Sequence, residues 1–270
     1  MRIKLIVSYD PIRISMKKTK KNPTDELYSS MEIAFEHFNQ QLFGSKLPPV
    51  IFTTQRQIGV MGHFSADRWV TKGGKKCHEI SINLAYVGRA SIIELCQTLV
   101  HEQNHLFQYC YGKPGRSGYH NSQWSNKMES MGLMPSHTGI PGGKKTGERM
   151  ADYPIRGGKF VKACSLLVTE KEYSLPWIDR FSEPVQTILP EELEYYSEAL
   201  SDIEEVAQDR LTTKFEDIFS EDVFVKSETA RKKVKTKYHC YSCEYSVWGK
   251  SELNIGCFDC GDQLVEFISE

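Results

Sequence analysis

Two histidines four residues apart, with a glutamate directly after the first, lie in the stretch "TLVHEQNHLFQ" at residues 98–108. On a helix, residues i and i+4 share a face, with Cβ atoms about 5–6 Å apart. His101 and His105 can therefore bind one tetrahedral zinc, and Glu102 lies close enough to take a proton from a water on that ion. Such a metal lowers the pKa of its water toward about 7 and polarises the carbonyl under attack. Glu102 then serves as general base and afterwards as proton donor to the leaving amine. The bland alternative is three polar residues sharing a helix, because long helices match the five-residue pattern by chance.

A catalytic zinc needs a third protein ligand and one open position. His37 falls on a helical stretch where packing is the expected role, His63 and His78 in strand-like text, and His137 in a loop. His120 is the best candidate. "SGYHNSQWSNKMESMGL" places it just before a second amphipathic helix marked by Trp124, Met128 and Met131. The short turn through Gly112, Pro114 and Gly115 can bring that helix back across the first.

A second cluster is Cys240, Cys243, Cys257 and Cys260, two C-x-x-C knuckles with thirteen residues between them. Gly261 follows the second pair, where a knuckle turn needs positive φ. Four thiolates close a structural zinc site with no open position. A stretch this short cannot bury enough core without the metal. Cys77, Cys96, Cys110 and Cys164 are scattered and read as packing residues.

The elements that must position these groups suggest an α+β fold. From Thr24, read as an N-cap, Leu27, Met31, Ala34, Phe35, Phe38 and Leu42 recur at helical spacing until Gly44 and Pro48–Pro49. Strand-like segments follow at "VIFTT", "IGVMGHF" and "HEISINLAYV". The motif helix opens with a capping box, Ser91 and Glu94, and ends at Gly112. Its apolar stripe is Ile92, Cys96, Leu99, Leu106 and Cys110. At about 100° per residue, His101 lies some 180° from Ile92, as a cleft-facing ligand would. After residue 134, the Gly-, Pro- and base-rich "PSHTGIPGGKKTGERMADYPIRGGKF" reads as an extended loop, and "LPEELEYYSEALSDIEEVAQDRL" as an exposed linker helix. The resulting divisions are an arm at 1–22, a main domain at 23–134, a loop extension at 135–189, an acidic helix and basic linker at 190–237, and a ribbon at 238–270.

The chain has 270 residues, 40% of them hydrophobic and 26% charged, with a formal net charge of −1. That excludes a global basic field, so contact with nucleic acid needs local patches. The apolar run at the start ends after Val7 with no small-residue cleavage site, and no stretch approaches the roughly 18 apolar residues of a membrane span. A cytoplasmic protein with reduced cysteines and no membrane partner is the expectation, with association with the nucleoid compatible with it. Around the ribbon, Trp248 and neighbouring tyrosines lie among Arg231, Lys232 and Lys233; Lys144, Lys145 and Arg149 form a second basic group. Bases contact phosphates while aromatics stack on unpaired bases, which points to single-stranded or damaged DNA. The competing reading is a small hydrophobic cover with a solvated linker.

"LFGSKLPP", a glycine-containing strand region, "LVHEQNH", then "GYHNSQW" with "MGL" resemble, over roughly residues 24–134, the SprT-like zinc metalloprotease domain. The bacterial SprT proteins and the Spartan DNA–protein crosslink proteases belong to that family. The resemblance implies a zincin-like fold, His101, His105 and His120 as ligands of a catalytic zinc, Glu102 as catalytic acid/base, and an accompanying zinc ribbon. It also implies a protein substrate, including proteins bound or crosslinked to DNA. One departure is Leu106, where relatives often carry a small residue; a narrower cleft is the expected consequence. The alternative function is a non-catalytic nucleic-acid-binding or scaffold protein with both zinc ions structural. A zinc hydrolase acting on a non-peptide substrate is a third reading.

Overall fold

The first helix, α1 (Pro23–Phe43), begins two residues before the position its pattern suggests. Asn22, not Thr24, is the N-cap, its side chain accepting from the Asp25 N–H at 2.9 Å, with Pro23 in the first turn. Proline belongs there because its missing N–H is unpaired at that position anyway. This computed structural model describes residues 22–57, 59–182, 190–219, 223–225 and 235–266. Arg231, Lys232, Lys233 and the N-terminal arm up to residue 21 lie outside the described residues.

A three-stranded sheet follows, formed by β1 (Val50–Gln55), β2 (Gly62–Val70) and β3 (Lys76–Asn83) in the order β1-β3-β2. β1 runs parallel to β3 and β2 antiparallel to it. Two strands differ from the sequence reading. β2 starts at Gly62 and continues through the polar text "SADRWV", because an edge strand needs only one buried face. Its ladder is interrupted between Ser65 and Trp69, where Asp67 has φ +49°. β3 stops at Asn83, whose side chain caps the short α2 (Leu84–Val87) by accepting from the Ala85 N–H at 3.0 Å.

α3 (Ile92–Tyr111) carries the histidine pair and has the expected capping box, with the Ser91 N–H donating to Glu94 Oε2 at 2.7 Å. Its anticipated stripe is buried at Ile92, Cys96, Leu99 and Leu106, but so are Ile93, Leu95, Val100, Gln103 and Asn104. α3 is thus a central helix, packed against α1, the sheet and α4 (Ser122–Met131). The Gln103 side chain donates to Phe35 O of α1 at 2.9 Å and the Asn104 side chain to Trp124 O of α4 at 3.0 Å. These buried amides pin the turn between His101 and His105 to its neighbours.

The stretch read as an extended loop instead contains β4 (Leu133–Ser136) paired antiparallel with β5 (Ala151–Pro154), and then α5 (Lys159–Thr169). Strands of four residues among glycine and proline turns leave no periodicity to detect. Gly132 makes the hairpin's docking possible: at φ +92°, a Cβ there would meet Lys159 N at 2.8 Å and Gly158 Cα at 3.0 Å. The acidic stretch also differs. It forms α6 (Pro190–Leu200) and α7 (Glu205–Thr212), followed by α8 (Phe215–Ile218), and it is no exposed linker. Leu200, Ala207, Leu211 and Phe215 are buried in the main core.

That core runs from α1 through the sheet and α3 to α5. Phe38 stacks on Phe160 with centroids 6.0 Å apart, and Phe35 meets Phe52 edge-on at 5.8 Å. Burying each such side chain contributes about 1.5–3 kcal/mol. The chain divides into two compact units between Phe224 and Val225. The second unit holds β6 (Thr236–His239), β7 (Ser246–Gly249) and β8 (Val265–Glu266) in the order β7-β6-β8. Among the described residues, its buried core consists of Tyr238, Cys240, Cys257 and Leu264. Among the described residues, no helix is long and apolar enough to cross a membrane.

Candidate active site

His101 and His105 project from one face of α3, and His120, held at the entrance to α4 by the Asn121 cap, reaches back to them. His120 Nε2 lies 3.1 Å from His101 Nε2 and 3.0 Å from His105 Nε2. A zinc ion with Zn–N bonds of about 2.0–2.1 Å spaces its tetrahedral nitrogens by about 3.3–3.4 Å. Three imidazole lone pairs converging this closely repel one another unless a cation lies among them, so this donor set fits zinc. Trp124, fully buried, forms the floor, its ring 4.7, 5.3 and 4.4 Å from those of His101, His105 and His120.

Burial governs the titration of these groups. It pushes His105 down to about 2, helped by the neighbouring His101 and His120. It pushes His120 down to about 4, His101 adding to the effect. Burial opposes charge on His101, but its hydrogen bond to the Asp152 carboxylate and the fields of Glu102 and Asp152 outweigh it and raise its pKa. Glu102 is buried, and desolvation lifts its carboxyl to about 7, against the opposing pull of His101 and the Phe64 N–H of β2. A base that titrates near neutrality is suited to moving a proton at physiological pH.

Two partners of these imidazoles come from the hairpin extension and were missed in the sequence. Asp152 Oδ2 accepts from His101 Nδ1 at 3.0 Å. The Gly147 carbonyl accepts from His120 Nδ1 at 3.1 Å, and the two residues also exchange backbone hydrogen bonds. Neither contact leaves a local pattern, since each joins residues 27 or 51 positions apart. Leu106 does not narrow the cleft. It is fully buried in the main core, because its position on α3 belongs to the apolar stripe rather than to the histidine face.

The other histidines are placed elsewhere. His37 Nε2 donates to Ala163 O at 2.7 Å, His63 faces Glu79 at 3.4 Å, His78 faces Asp67 at 3.4 Å, and His137 Nδ1 accepts from the Lys144 N–H at 2.9 Å. Tyr119 packs under Arg116, 5.3 Å from its guanidinium.

In the second unit, the four cysteine sulfurs form a compact group. Cys240 and Cys260 Sγ are 3.6 Å apart and Cys243 and Cys257 Sγ 3.8 Å apart, against about 3.8 Å for tetrahedral zinc with 2.3 Å bonds. The two knuckles repeat one turn, with Glu244 N bonding Cys240 O and Gly261 N bonding Cys257 O. Gly261 takes φ +80°, and Glu244 occupies the equivalent place at +57°. The Tyr245 hydroxyl donates to Cys257 Sγ at 3.0 Å, which, with the Cys260 and Asp259 N–H groups, pulls that thiol down to about 6. A sulfur that ionises readily is a ready metal ligand.

The basic residues are less concentrated than their spacing implied. Lys145 pairs with Glu129 at 3.0 Å, while Lys144 and Arg149 are exposed. Trp248 is exposed, with Lys237 Nζ 6.0 Å from its ring centre. The described part of the ribbon carries Lys235, Lys237 and Lys250 together with Glu244, Glu252, Asp259, Asp262 and Glu266.

Residues 31–143 match the SprT-like family model. A stretch of 48 residues is 40% identical to an uncharacterized protein in the mucB 3′ region of Salmonella typhimurium; the match covers 18% of this chain and 65% of that relative's length. No solved structure matches the chain. The imidazole trio and Glu102 lie inside the matched segment, Gly147 and Asp152 beyond it. The chain thus carries, over residues 31–143, an SprT-like domain, of a family that is in general one of zinc metalloproteases.

Proposed function

We propose that the protein is a zinc-dependent endopeptidase that acts on proteins bound or crosslinked to DNA, with one catalytic and one structural zinc. The observation that carries the peptidase reading is that His120 Nε2 lies within 3.1 Å of both His101 Nε2 and His105 Nε2, beside a buried carboxylate. His101, His105 and His120 would hold the catalytic ion, and Cys240, Cys243, Cys257 and Cys260 the structural one. When bound, the catalytic ion supplies Lewis acidity, polarising the scissile carbonyl and acidifying water. Glu102 takes the proton from the attacking water as its oxygen bonds to the carbonyl carbon. The same carboxyl then delivers that proton to the amide nitrogen as the C–N bond breaks. A structural site has no use for a buried carboxyl directly after its first ligand, which favours the enzyme over a non-catalytic scaffold.

Action near DNA has a narrower basis. The loop that carries exposed Lys144 and Arg149 also carries Gly147, whose carbonyl bonds His120, so cationic side chains border the site. Phosphates drawn to that loop would bring a DNA-bound protein to the metal.

The test compares parent and Glu102→Gln on a protein crosslinked to single-stranded DNA. The parent is expected to cleave it, and the variant to be slowed about 10²–10⁴-fold while retaining two zinc ions per chain. Equal cleavage by both would overturn the assigned chemistry. Cleavage that is indifferent to DNA would leave a peptidase without the nucleic-acid role.

A further inference from the structure

Asp152 sits on β5, outside the segment that matches the family, yet its side chain is only 5% exposed and touches a metal-site imidazole. Its two oxygens are divided between two partners. Oδ2 accepts from His101 Nδ1 at 3.0 Å, and Oδ1 accepts from the Gln97 amide at 3.2 Å. The same amide nitrogen also donates to the Asp152 backbone carbonyl at 3.0 Å. Gln97 is held in turn, since the Tyr196 hydroxyl of α6 donates to its Oε1 at 2.6 Å. The amide of Gln97 therefore cannot flip without breaking bonds at both ends, and Asp152 cannot turn away from His101 without giving up its side-chain bond to Gln97.

We infer that Asp152 is a positioning residue of the catalytic metal site, locking His101 as the Nδ1–H tautomer with Nε2 bare and aimed at the ion, and that Gln97 and Tyr196 hold it in that pose. The inference rests on the reading of the imidazole trio as a zinc site. A carboxylate behind a ligating histidine fixes the ring's orientation and makes the ligating nitrogen more basic. His120 Nδ1 donates to a neutral carbonyl, that of Gly147, whereas His101 Nδ1 meets a carboxylate, so His101 is the stronger metal donor of the two. The extension formed by β5 and α6 thus completes a site whose ligands all come from α3 and the turn before α4.

The test uses the full chain in three forms: parent, Asp152→Asn and Asp152→Ala. Zinc affinity is read by chelator competition, and cobalt substitution separates the sites, because thiolate charge-transfer absorption arises only at the cysteines. Asp152→Ala is expected to weaken binding at the imidazoles about 10–100-fold, with the ribbon ion unaffected. Asp152→Asn, which can still accept from Nδ1–H, is expected to restore part of the loss, and Tyr196→Phe to give a smaller loss than Asp152→Ala. In the metal-free protein, ¹⁵N spectra of His101 should show the Nδ1–H form in the parent and a mixture of tautomers in Asp152→Ala. Parent-like affinity in Asp152→Ala, or an unchanged tautomer, overturns the inference. These readouts need no substrate: if the parent binds zinc but cleaves nothing, the proposed activity fails while the positioning role stands. If Asp152→Ala does not fold, Asp152→Asn with the tautomer spectra decides the matter.

Discussion

Gly62 marks the closest approach of β2 to the helix that bears Glu102. A Cβ there would meet Thr98 Cγ2 at 2.9 Å, Ser81 O at 3.1 Å and Glu102 Cγ at 3.3 Å. Gly62→Val is expected to force the strand and its Phe64 N–H away from the carboxylate. Overpacking of this kind costs about 1–3 kcal/mol. Urea unfolding should show that modest loss, while peptide turnover falls more than tenfold; equal turnover would mean that β2 does not set the Glu102 pose. The imidazole cluster was legible because helical spacing alone brings His101 and His105 to one face, and because a cap residue after His120 announces where α4 starts. Asp152 was not legible. Its value lies in a hydrogen bond across the fold, and a lone aspartate in glycine-rich text carries no sign of it.

Among the elements, the α1–α5 contact makes a pH-dependent contribution. His37 is buried there, and desolvation lowers its pKa below 6.5, only partly offset by the bond to Ala163 O. The unfolded imidazole takes up a proton below pH 6.5 that the folded one resists. The stability tied to this neutrality is therefore present above pH 6.5 and drains away as the pH falls from 6.5 toward the lower folded value. His37→Gln, which can still donate to the carbonyl, is expected to flatten the dependence of unfolding free energy between pH 5 and 7, measured on otherwise identical samples. Long amphipathic helices such as α1 and α3 could be read because many turns repeat one pattern. The β4–β5 hairpin could not, since its strands are four residues long and their register is set by packing against α4 and the close approach of Gly132 to Gly158. α6 and α7 were misjudged for a related reason: a strongly acidic outer face hid the few apolar positions that dock.

At the scale of the whole molecule, the two compact units rest on different sources of stability. The first has an extended apolar core; the second has, among the described residues, a core of four, two of them cysteines. Stripping metal with a strong chelator is expected to abolish the β6–β7–β8 sheet, seen as full amide exchange over residues 236–266, while α1, α3 and α5 stay protected. Retention of ribbon protection without metal would mean that the small core suffices. The bracing of His101 by a residue far downstream also has a bearing on how the protein is made. A chain elongating at about 5–20 residues per second exposes Tyr196 roughly 4–15 s after His120. During that interval the nascent polypeptide carries all three imidazoles and gains first the carboxylate and only at its end the tyrosine that steady them. An enzyme of the proposed kind, assembled in this order, stays blunt beside the ribosome and sharpens only once its own later segments have folded back.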